Sequence, residues 1–222
     1  MRLALISDTH AKTIPDHQMP DCDVLVHAGD VTNNGKINQL RLMMEWFQHL
    51  ANKYRHIVFI GGNHDFILED FMKENVEYAI HERLCALPNI HYLRDSGVTI
   101  DGKYFYGTPW VICGDWAFSE MDHAKRREKF ARIPMYTNVL ITHGPSYSIL
   151  DRCVNGAHGV GSVGDMELLG AVERVRPQVH VFGHIHDGYG IYENCSTKFV
   201  NAAVTIVKGG YELGNPPIVV EI

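Results

Sequence analysis

Short apolar runs alternate with polar, glycine-containing clusters along the chain, and this pattern predicts buried β-strands that end in turns. Their content of Val and Ile is typical of strands that are covered on both faces. Five of these runs are followed within three residues by Asp, Asn or His, and they span residues 3–6, 24–26, 57–60, 139–141 and 179–182. Further strands are predicted over residues 98–100, 104–106, 190–192, 199–201 and 218–221.

Apolar residues three or four positions apart predict a helix over residues 36–52. The stripe consists of Ile37, Leu40, Met44, Phe47 and Leu50. Residues 66–73 and 165–174 favour further helices, and a capping-box pattern beginning at Ser119 predicts one that runs to about Arg132. The mixture of β-α-β units and hairpins predicts an α/β fold in layers, which we expect to form one domain over residues 1–222.

Charge and hydrophobicity limit the kinds of partner that we expect the protein to bind. With 20 Lys and Arg against 26 Asp and Glu, the net charge is −6, so we expect no nucleic-acid polymer to bind nonspecifically. No run approaches the ~18 apolar residues of a membrane helix, so no membrane partner is expected. The start of the chain does not resemble a signal peptide, and the five cysteines form no C-x-x-C pair, which together favour a reduced, cytoplasmic protein.

Histidine is unusually frequent, with 14 copies against 9 of phenylalanine, and histidine is a common metal ligand. Several of these histidines follow the predicted strands together with acidic and amide residues, where open α/β sheets form their sites. Oxygen and imidazole ligands without thiolates suit Mn²⁺, Fe or Zn²⁺. There are more candidate ligands than one tetrahedral ion needs, so we expect two ions that share a bridging carboxylate. The candidates, with His64 beside them, are Asp8, His10, Asp30, Asn63, His143, His184 and His186.

Taken in order, these clusters resemble the signature of the calcineurin-like metallophosphoesterases. The resemblance extends from residue 8 to residue 186. It implies a four-layer α/β/β/α sandwich, in which two facing mixed β-sheets are flanked by helices. The five blocks that carry it are Asp8-Thr9-His10, Gly29-Asp30, Gly62-Asn63-His64-Asp65, His143-Gly144 and Gly183-His184-Ile185-His186.

The resemblance also implies a role for each residue of the blocks. It makes Asp30 the bridge between two divalent ions, with Mn²⁺ expected and Fe or Zn²⁺ as alternatives. His64 would face the scissile phosphate as acid or electrostatic stabiliser, and Asp65 would hold His64 in orientation. The ligands of the first ion would be Asp8, His10 and His186, and those of the second Asn63, His143 and His184.

Residues 175–190 and 215–218 resemble, more closely, the MPPED branch of small metallophosphoesterase domain-containing proteins. That likeness favours a phosphodiester as substrate, with a cyclic nucleotide as one candidate. For a site with two ions, our hypothesis for the mechanism is direct attack by a metal-bridging hydroxide. A phosphomonoesterase or protein serine/threonine phosphatase with the same site is the alternative. A binding scaffold that retains the fold without catalysis is the alternative from another class.

A few residues outside the ligand set have two interpretations. Asn33 and His158 are candidate substrate contacts, against turn or N-cap duty for the first and a surface loop for the second. Trp110 and Trp116 could stack on a nucleobase or pack in the core. His27, inside an apolar run, is expected to be a hydrogen-bonded core histidine.

Overall fold

The computed structural model describes residues 1–69, 87–156, 159–207 and 210–222. Its four α-helices within these ranges are α1 Ile37–Leu50, α2 Phe66–Glu69, α3 His123–Ala131 and α4 Met166–Val175. No helix in the described ranges is both long enough and apolar enough to cross a bilayer.

The strands form two large mixed sheets. The first has the order β15-β1-β2-β3-β4, with β1 to β4 parallel and β15 antiparallel to β1. Its strands are β1 Arg2–Ile6, β2 Val24–His27, β3 His56–Phe59, β4 Ile90–Tyr92 and β15 Ile218–Glu221.

The second sheet has the order β11-β12-β10-β7-β6-β5, with a parallel centre and antiparallel strands at both edges. Its strands are β5 Ser96–Ile100, β6 Lys103–Thr108, β7 Val139–Thr142, β10 Val179–Phe182, β11 Gly190–Glu193 and β12 Lys198–Asn201. Two hairpins lie outside the large sheets: β8 Arg152–Gly156 with β9 Gly159–Ser162, and β13 Thr205–Val207 with β14 Tyr211–Leu213.

The two sheets face each other across a dry core. Leu5 and Val26 of the first sheet belong to the same buried cluster as Ile141 and Val181 of the second. Each fully buried aliphatic side chain of this kind contributes roughly 1.5–3 kcal/mol. The strands are short runs of Val, Ile and Leu because alternate side chains face this core and the others face the helices.

Helices cover the outer faces of both sheets. Helix α1 packs Phe47 and Leu50 against the outer face of the first sheet, which includes Phe59. On the second sheet, Phe130 of α3 and Val172 of α4 lie in one cluster with the strands. These layers confirm the predicted α/β/β/α sandwich.

The structure corrects the predicted start of α3. Its N-cap is Asp122, whose carboxylate accepts hydrogen bonds from the N–H groups of Ala124 and Lys125 at 2.8 and 3.2 Å. The Ser119 hydroxyl instead accepts from the Cys113 N–H at 3.1 Å, so the capping box beginning at Ser119 was wrong. Ser119 and Asp122 are both suitable cap residues three positions apart. The Ser119 hydroxyl is already bonded to the loop at Cys113, so Asp122 caps the helix.

The other helices differ less from their predictions. Helix α4 begins after Asp165, which caps it by accepting from the Glu167 N–H at 2.8 Å. Helix α1 begins at Ile37, but this side chain is exposed and the buried stripe starts at Leu40. The helix predicted over residues 66–73 is described as far as Glu69, and its remainder lies outside the described residues.

A buried ion pair joins α3 to α4. The Arg126 Nε donates to the Asp165 carboxylate at 2.7 Å, and its Nη1 donates to the carbonyls of Glu120 and Met121. Both side chains of the pair are at most 9% exposed. This pair therefore fixes the segment that precedes α3 as well as the two helices.

We expect the substitution Arg126→Met to lower the free energy of unfolding by about 3–5 kcal/mol, because it leaves a buried carboxylate without its counter-charge. The matched control is Arg127→Met. Arg127 is paired with Glu167 at 2.7 Å, but its side chain is 67% exposed, so the loss should stay below about 1 kcal/mol. Urea unfolding of both variants measures the difference, and equal losses would contradict the assignment.

Candidate metal centre

The predicted ligands come together where parallel strands of both sheets end. Asp8 follows β1 and Asp30 follows β2, while His143 and His184 follow β7 and β10 of the facing sheet. Hydrogen bonds connect the sheets at this edge, since the His184 N–H donates to the Asp8 carboxylate at 3.0 Å. The facing carboxyl ends thus form one crevice between the sheets.

The backbone at the crevice is left-handed at four of the candidate ligands. The φ angles are 58° at Asp8, 47° at His10, 56° at Asp30 and 66° at His184. Non-glycine residues rarely adopt this conformation, and such strain is common at functional sites. The sharp reversals let each chain segment turn its side chain back towards the strand ends.

Two glycines allow the backbone to approach the carboxylates closely. A Cβ at Gly183 would collide with the carboxylate of Asp8, and a Cβ at Gly62 would collide with that of Asp30. No L-residue larger than glycine fits either position without displacing a carboxylate. The glycines of the two sequence blocks are therefore steric requirements of the site.

Asp8, His10 and His186 form the first cluster, and one ligand atom from each lies within 4.8 Å of the others. His186 Nε2 is 3.3 Å from Asp8 Oδ1. Within the described residues, neither ring nitrogen of the buried His10 has a hydrogen-bond partner. A buried imidazole without a partner is costly, and a bound cation would satisfy it.

Asn63, His143 and His184 form the second cluster. Asn63 Oδ1 lies 2.8 Å from both His143 Nε2 and His184 Nδ1. His143 Nδ1 donates to the carbonyl of Ala28 at 2.9 Å, so the Nε2 of the neutral ring carries a lone pair. That lone pair faces the amide oxygen, and only a cation between them, a proton or a metal ion, makes the contact favourable.

Asp30 lies between the two clusters. Its Oδ1 is 3.4 Å from His143 Nε2, and its Oδ2 is 3.9 Å from His10 Nε2. The two oxygens therefore face ligands of different sets, which is the geometry expected of a bridge. Asp8, Asp30 and His143 also offer ligand atoms within 4.8 Å of one another.

The electrostatics favour cations at both clusters. Burial alone would raise the pKa of Asp8 and Asp30, but His186 and His143, respectively, outweigh it and hold both values below the usual range. Burial lowers the pKa of His10 to about 4, so its ring is neutral and able to bind metal near pH 7. Donor types, lone-pair directions and charge all fit divalent cations, and the candidate ligands as a set remain a prediction.

His64 lies beside the clusters with one ring edge fixed. Its Nδ1 donates to the carbonyl of Asn33 at 2.6 Å, and its backbone N–H donates to Asp30 Oδ1 at 2.8 Å. A ring nitrogen of His64 also lies within 4.8 Å of ligand atoms of His10 and Asp30. Since Nδ1 is bound to a carbonyl, Nε2 is the atom that faces the crevice.

Asp65 holds His64 less directly than expected. Its carboxylate accepts hydrogen bonds from the N–H groups of Gly62, Val31 and Thr32, and from the Thr32 hydroxyl. Burial, followed by repulsion from Asp30, raises the pKa of Asp65 to about 7. Asp65 therefore organises the loop that carries the Asn33 carbonyl, and this carbonyl is the group that contacts the imidazole.

Of the two predicted substrate contacts, Asn33 lies among the described residues and His158 does not. Asn33 lies next to His64, and its buried Oδ1 has no hydrogen-bond partner within the described chain. Its backbone N–H donates to Gln39 Oε1 at 3.2 Å, and the N-cap of α1 is Lys36, so the N-cap alternative for Asn33 was wrong. His158 lies outside the described residues.

Trp110 and Trp116 both line an open cleft, and Trp110 also packs against the core. Trp110 contacts Phe118 with ring centroids 6.0 Å apart, and its Nε1 donates to Asp95 at 2.8 Å. Trp116 is 44% exposed, and its ring centroid is 4.5 Å from that of His64. The cleft beside it has a volume of about 430 Å³ and extends along residues 110–116 to His184.

Sequence reasoning missed Tyr211, whose ring stacks on His10 with centroids 4.0 Å apart. Tyr211 lies outside the recognised blocks, and no periodic pattern marks its segment. The interpretation of His27 as a core residue is confirmed, since the buried His27 Nε2 is 2.9 Å from the Thr9 hydroxyl. Burial also lowers the pKa of His27 to about 3, which keeps the ring neutral.

A family model described as calcineurin-like phosphoesterase matches residues 1–188. The chain therefore belongs to the calcineurin-like phosphoesterase family. Membership agrees with the layered fold and with the clusters of possible metal ligands at the strand ends.

The likeness to the metallophosphoesterase domain-containing branch is also confirmed. Metallophosphoesterase domain-containing protein 1 of Homo sapiens, like that of Mus musculus, is 38% identical over 239 aligned positions, which cover 100% of this chain and 71% of the relative. A UPF0046 protein of Caenorhabditis elegans is 35% identical over 209 positions, covering 91% of this chain and 69% of the relative.

Solved structures share the fold at low sequence identity. One has a TM-score of 0.68 and 15% identity, over 90% of this chain and 89% of its own. The phosphopantetheinyl hydrolase PptH of Mycobacterium tuberculosis has a TM-score of 0.54 and 15% identity, over 91% of this chain and 88% of its own. At such identities the likeness concerns the fold alone.

We expect Asp30→Asn to abolish the paired binding of divalent ions, because the amide removes the charge that faces both clusters. The loss of affinity should exceed the roughly 10–100-fold that follows loss of a group merely supporting a ligand. Elemental analysis and Mn²⁺ titration calorimetry measure it, with the exposed Asp101→Asn as matched control. An Asp30→Asn protein that binds two ions as tightly as the parent would refute the bridge.

Binding of divalent ions at pH 7 should release about one proton from His143. Burial opposes the charge on this ring, but the nearby Asp30 carboxylate outweighs burial and raises the pKa of His143 to about 9. The metal-free ring is therefore protonated at pH 7, and the release should vanish as the pH rises through about 9. Calorimetry in buffers of different ionisation enthalpy counts the protons, and His143→Gln should lower the count by about one.

Proposed function

We propose that the chain is a metal-dependent phosphoesterase that hydrolyses a phosphodiester. The observation that carries the proposal is the pairing of two ligand clusters on either side of Asp30, with His64 Nε2 facing the same crevice. The first cluster, Asp8, His10 and His186, would hold one divalent ion. Asn63, His143 and His184 would hold the other.

Two divalent ions bound there would neutralise the phosphate charge and lower the pKa of water towards about 7. The chain's own residues must place the ester and manage the proton of the leaving group. Mn²⁺ is the metal we propose, with Fe or Zn²⁺ as alternatives that the same nitrogen and oxygen ligands accept.

His64 is suited to deliver that proton. Because its Nδ1–H is committed to the Asn33 carbonyl, the second proton of the charged ring resides on Nε2. Nε2 faces the crevice and can donate to the leaving oxygen. General-acid catalysis of this kind contributes roughly 10²–10⁴-fold to a rate.

The cleft next to Trp116 would receive the organic group of the ester. Its residues in the described chain include no Lys or Arg, and Asp115 and Asp165 lie among them. A cleft without cationic side chains suits an uncharged organic group of the ester better than a second anionic one. The half-exposed indole of Trp116 offers a stacking face, so a nucleotide is one candidate.

The proposed setting is a small phosphoester substrate in a reducing compartment such as the cytoplasm. Within the described ranges, Cys22, Cys113, Cys153 and Cys195 form no disulfide with one another, which supports such a compartment. The acidic net charge supports a small substrate over a nucleic-acid polymer.

Two alternatives keep the same site. A phosphomonoesterase or protein phosphatase would use the same ions, and a binding scaffold would retain the ligands without turnover. His64 accompanies the complete set of candidate ligands and lies near His10 and Asp30, which favours catalysis, since a scaffold does not require a proton donor.

The test combines metal analysis with hydrolysis of bis(p-nitrophenyl) phosphate and p-nitrophenyl phosphate by the Mn²⁺-loaded protein. We expect faster turnover of the diester. On a diester with an alkoxide leaving group, such as a cyclic nucleotide, His64→Gln should keep its metal but lose roughly 10²–10⁴-fold in kcat, whereas the exposed His123→Gln should retain the parent rate. Preference for the monoester would favour the first alternative, and bound metal without turnover of a broad ester panel would favour the scaffold.

A further inference from the structure

The hairpin of β13 and β14 places Tyr211 over the crevice. Its described residues, 205–207 and 211–213, follow the last block of candidate ligands in the chain. The ring of Tyr211 is half-buried and contacts three histidines of the site: His10, His64 and His186.

The hairpin is anchored to the end of β1 that carries Asp8. The Val204 N–H donates to the carbonyl of Ser7 at 3.0 Å, and the Thr205 hydroxyl donates to the carbonyl of Asp8 at 2.5 Å. The Lys12 ammonium donates to the carbonyl of Tyr211 itself. The position of the tyrosine is therefore tied to the same turn that positions the first ligand cluster.

The flat face of Tyr211 fixes the ring of His10. The two rings are 4.0 Å apart between centroids and only 6° from parallel. Neither nitrogen of His10 has a hydrogen-bond partner in the described chain, so ring contacts hold the plane of the imidazole. The stack on Tyr211 has the shortest centroid distance of these contacts, and the edge contacts with His64 and His186 have centroid distances of 4.6 and 5.5 Å. The edges of His64 and His186 meet the same tyrosine at centroid distances of 5.5 and 5.7 Å.

The hydroxyl of Tyr211 acts on a different histidine. It lies 3.4 Å from His64 Nε2, the ring atom that faces the crevice. Because His64 Nδ1 donates to the Asn33 carbonyl, Nε2 of the neutral ring accepts and the tyrosine hydroxyl donates. When the ring is charged, Nε2–H can donate to the phenolic oxygen until the leaving oxygen of a substrate takes its place.

We propose that Tyr211 is a positioning residue of the site, with its ring orienting His10 for metal binding and its hydroxyl orienting His64 Nε2 for proton delivery. The second half of this assignment rests on the proposed function, and the first half does not. The two halves are separable because one belongs to the aromatic face and the other to the oxygen.

Three substitutions separate these contributions. Tyr211→Phe removes the hydroxyl and keeps the stack, while Tyr211→Leu removes both. Tyr192→Phe is the control, because Tyr192 is an exposed tyrosine on the edge strand β11. Urea unfolding of each variant checks that the fold is retained.

Mn²⁺ titration of the protein is the readout that needs no turnover. We expect Tyr211→Leu to weaken the first-cluster ion about tenfold, as supporting contacts of a metal ligand typically do. Tyr211→Phe and Tyr192→Phe should bind Mn²⁺ as the parent does. Parent-like affinity in Tyr211→Leu would overturn the role assigned to the ring, whether or not the protein hydrolyses phosphodiesters.

Steady-state kinetics on a phosphodiester with an alkoxide leaving group, such as a cyclic nucleotide, test the role of the hydroxyl, because such a leaving group needs the proton. We expect Tyr211→Phe to lower kcat about tenfold with KM unchanged, the size of one lost hydrogen bond. In a His64→Gln background the same change should have little further effect on kcat, since the hydroxyl acts through His64.

The outcomes distinguish this proposal from the proposed function. If the parent protein turns over the diester and Tyr211→Phe keeps the parent kcat, the assignment of the hydroxyl is wrong. An equal loss in the presence and absence of His64 would also overturn it, because the tyrosine would then act independently. If the parent has no phosphodiesterase activity, the proposed function fails and takes the hydroxyl assignment with it, while the Mn²⁺ titration still decides the role of the ring.

Discussion

Two buried carboxylates, Asp8 and Asp30, lie close together at the bottom of a crevice between two sheets, and their charge must be compensated. Burying one anion is costly, and burying two side by side adds mutual repulsion. The surrounding histidines provide part of the compensation, as the raised pKa of His143 shows. The negative charge that remains uncompensated favours bound cations. This explains why candidate ligands from several strands converge on one crevice.

The arrangement of the strands brings these ligands together. Parallel strands bring their carboxyl ends to one edge, so side chains from β1, β2, β7 and β10 reach one crevice although they are far apart in the chain. The aliphatic core between the sheets fixes the distance between Asp30 on one sheet and His143 on the other. Helices cover the outer faces of the two sheets, and those in the described part of the chain contribute none of the candidate ligands.

The sequence allowed most of the fold and nearly all of the crevice to be predicted, because both follow from local patterns. Apolar runs that end in Asp or His mark strand ends, and their order carries the family resemblance. The features that the sequence patterns did not predict depend on contacts between distant segments. Tyr211 reaches the crevice through a hairpin whose anchor is the turn after β1, and no pattern near residue 211 indicates it.

Local chemistry was also misleading where two similar groups competed. Ser119 and Asp122 are both good helix caps, and the loop's need for a partner at Cys113 decided between them. The group that orients His64 was not predicted for a related reason. The Asp65 carboxylate holds the loop backbone, and the Asn33 carbonyl of that loop contacts the imidazole. A sequence pattern does not indicate the position of a backbone carbonyl.

The left-handed turns at Asp8, His10, Asp30 and His184 restrict which ligands could ever replace these residues. Among side chains with a metal-binding atom, Asp, Asn and His are the ones that tolerate this backbone region best. They are also ligands that suit hard or borderline ions. A cysteine at these turns would be disfavoured by the backbone whichever ion is bound, so the left-handed turns favour oxygen and imidazole ligands over a thiolate.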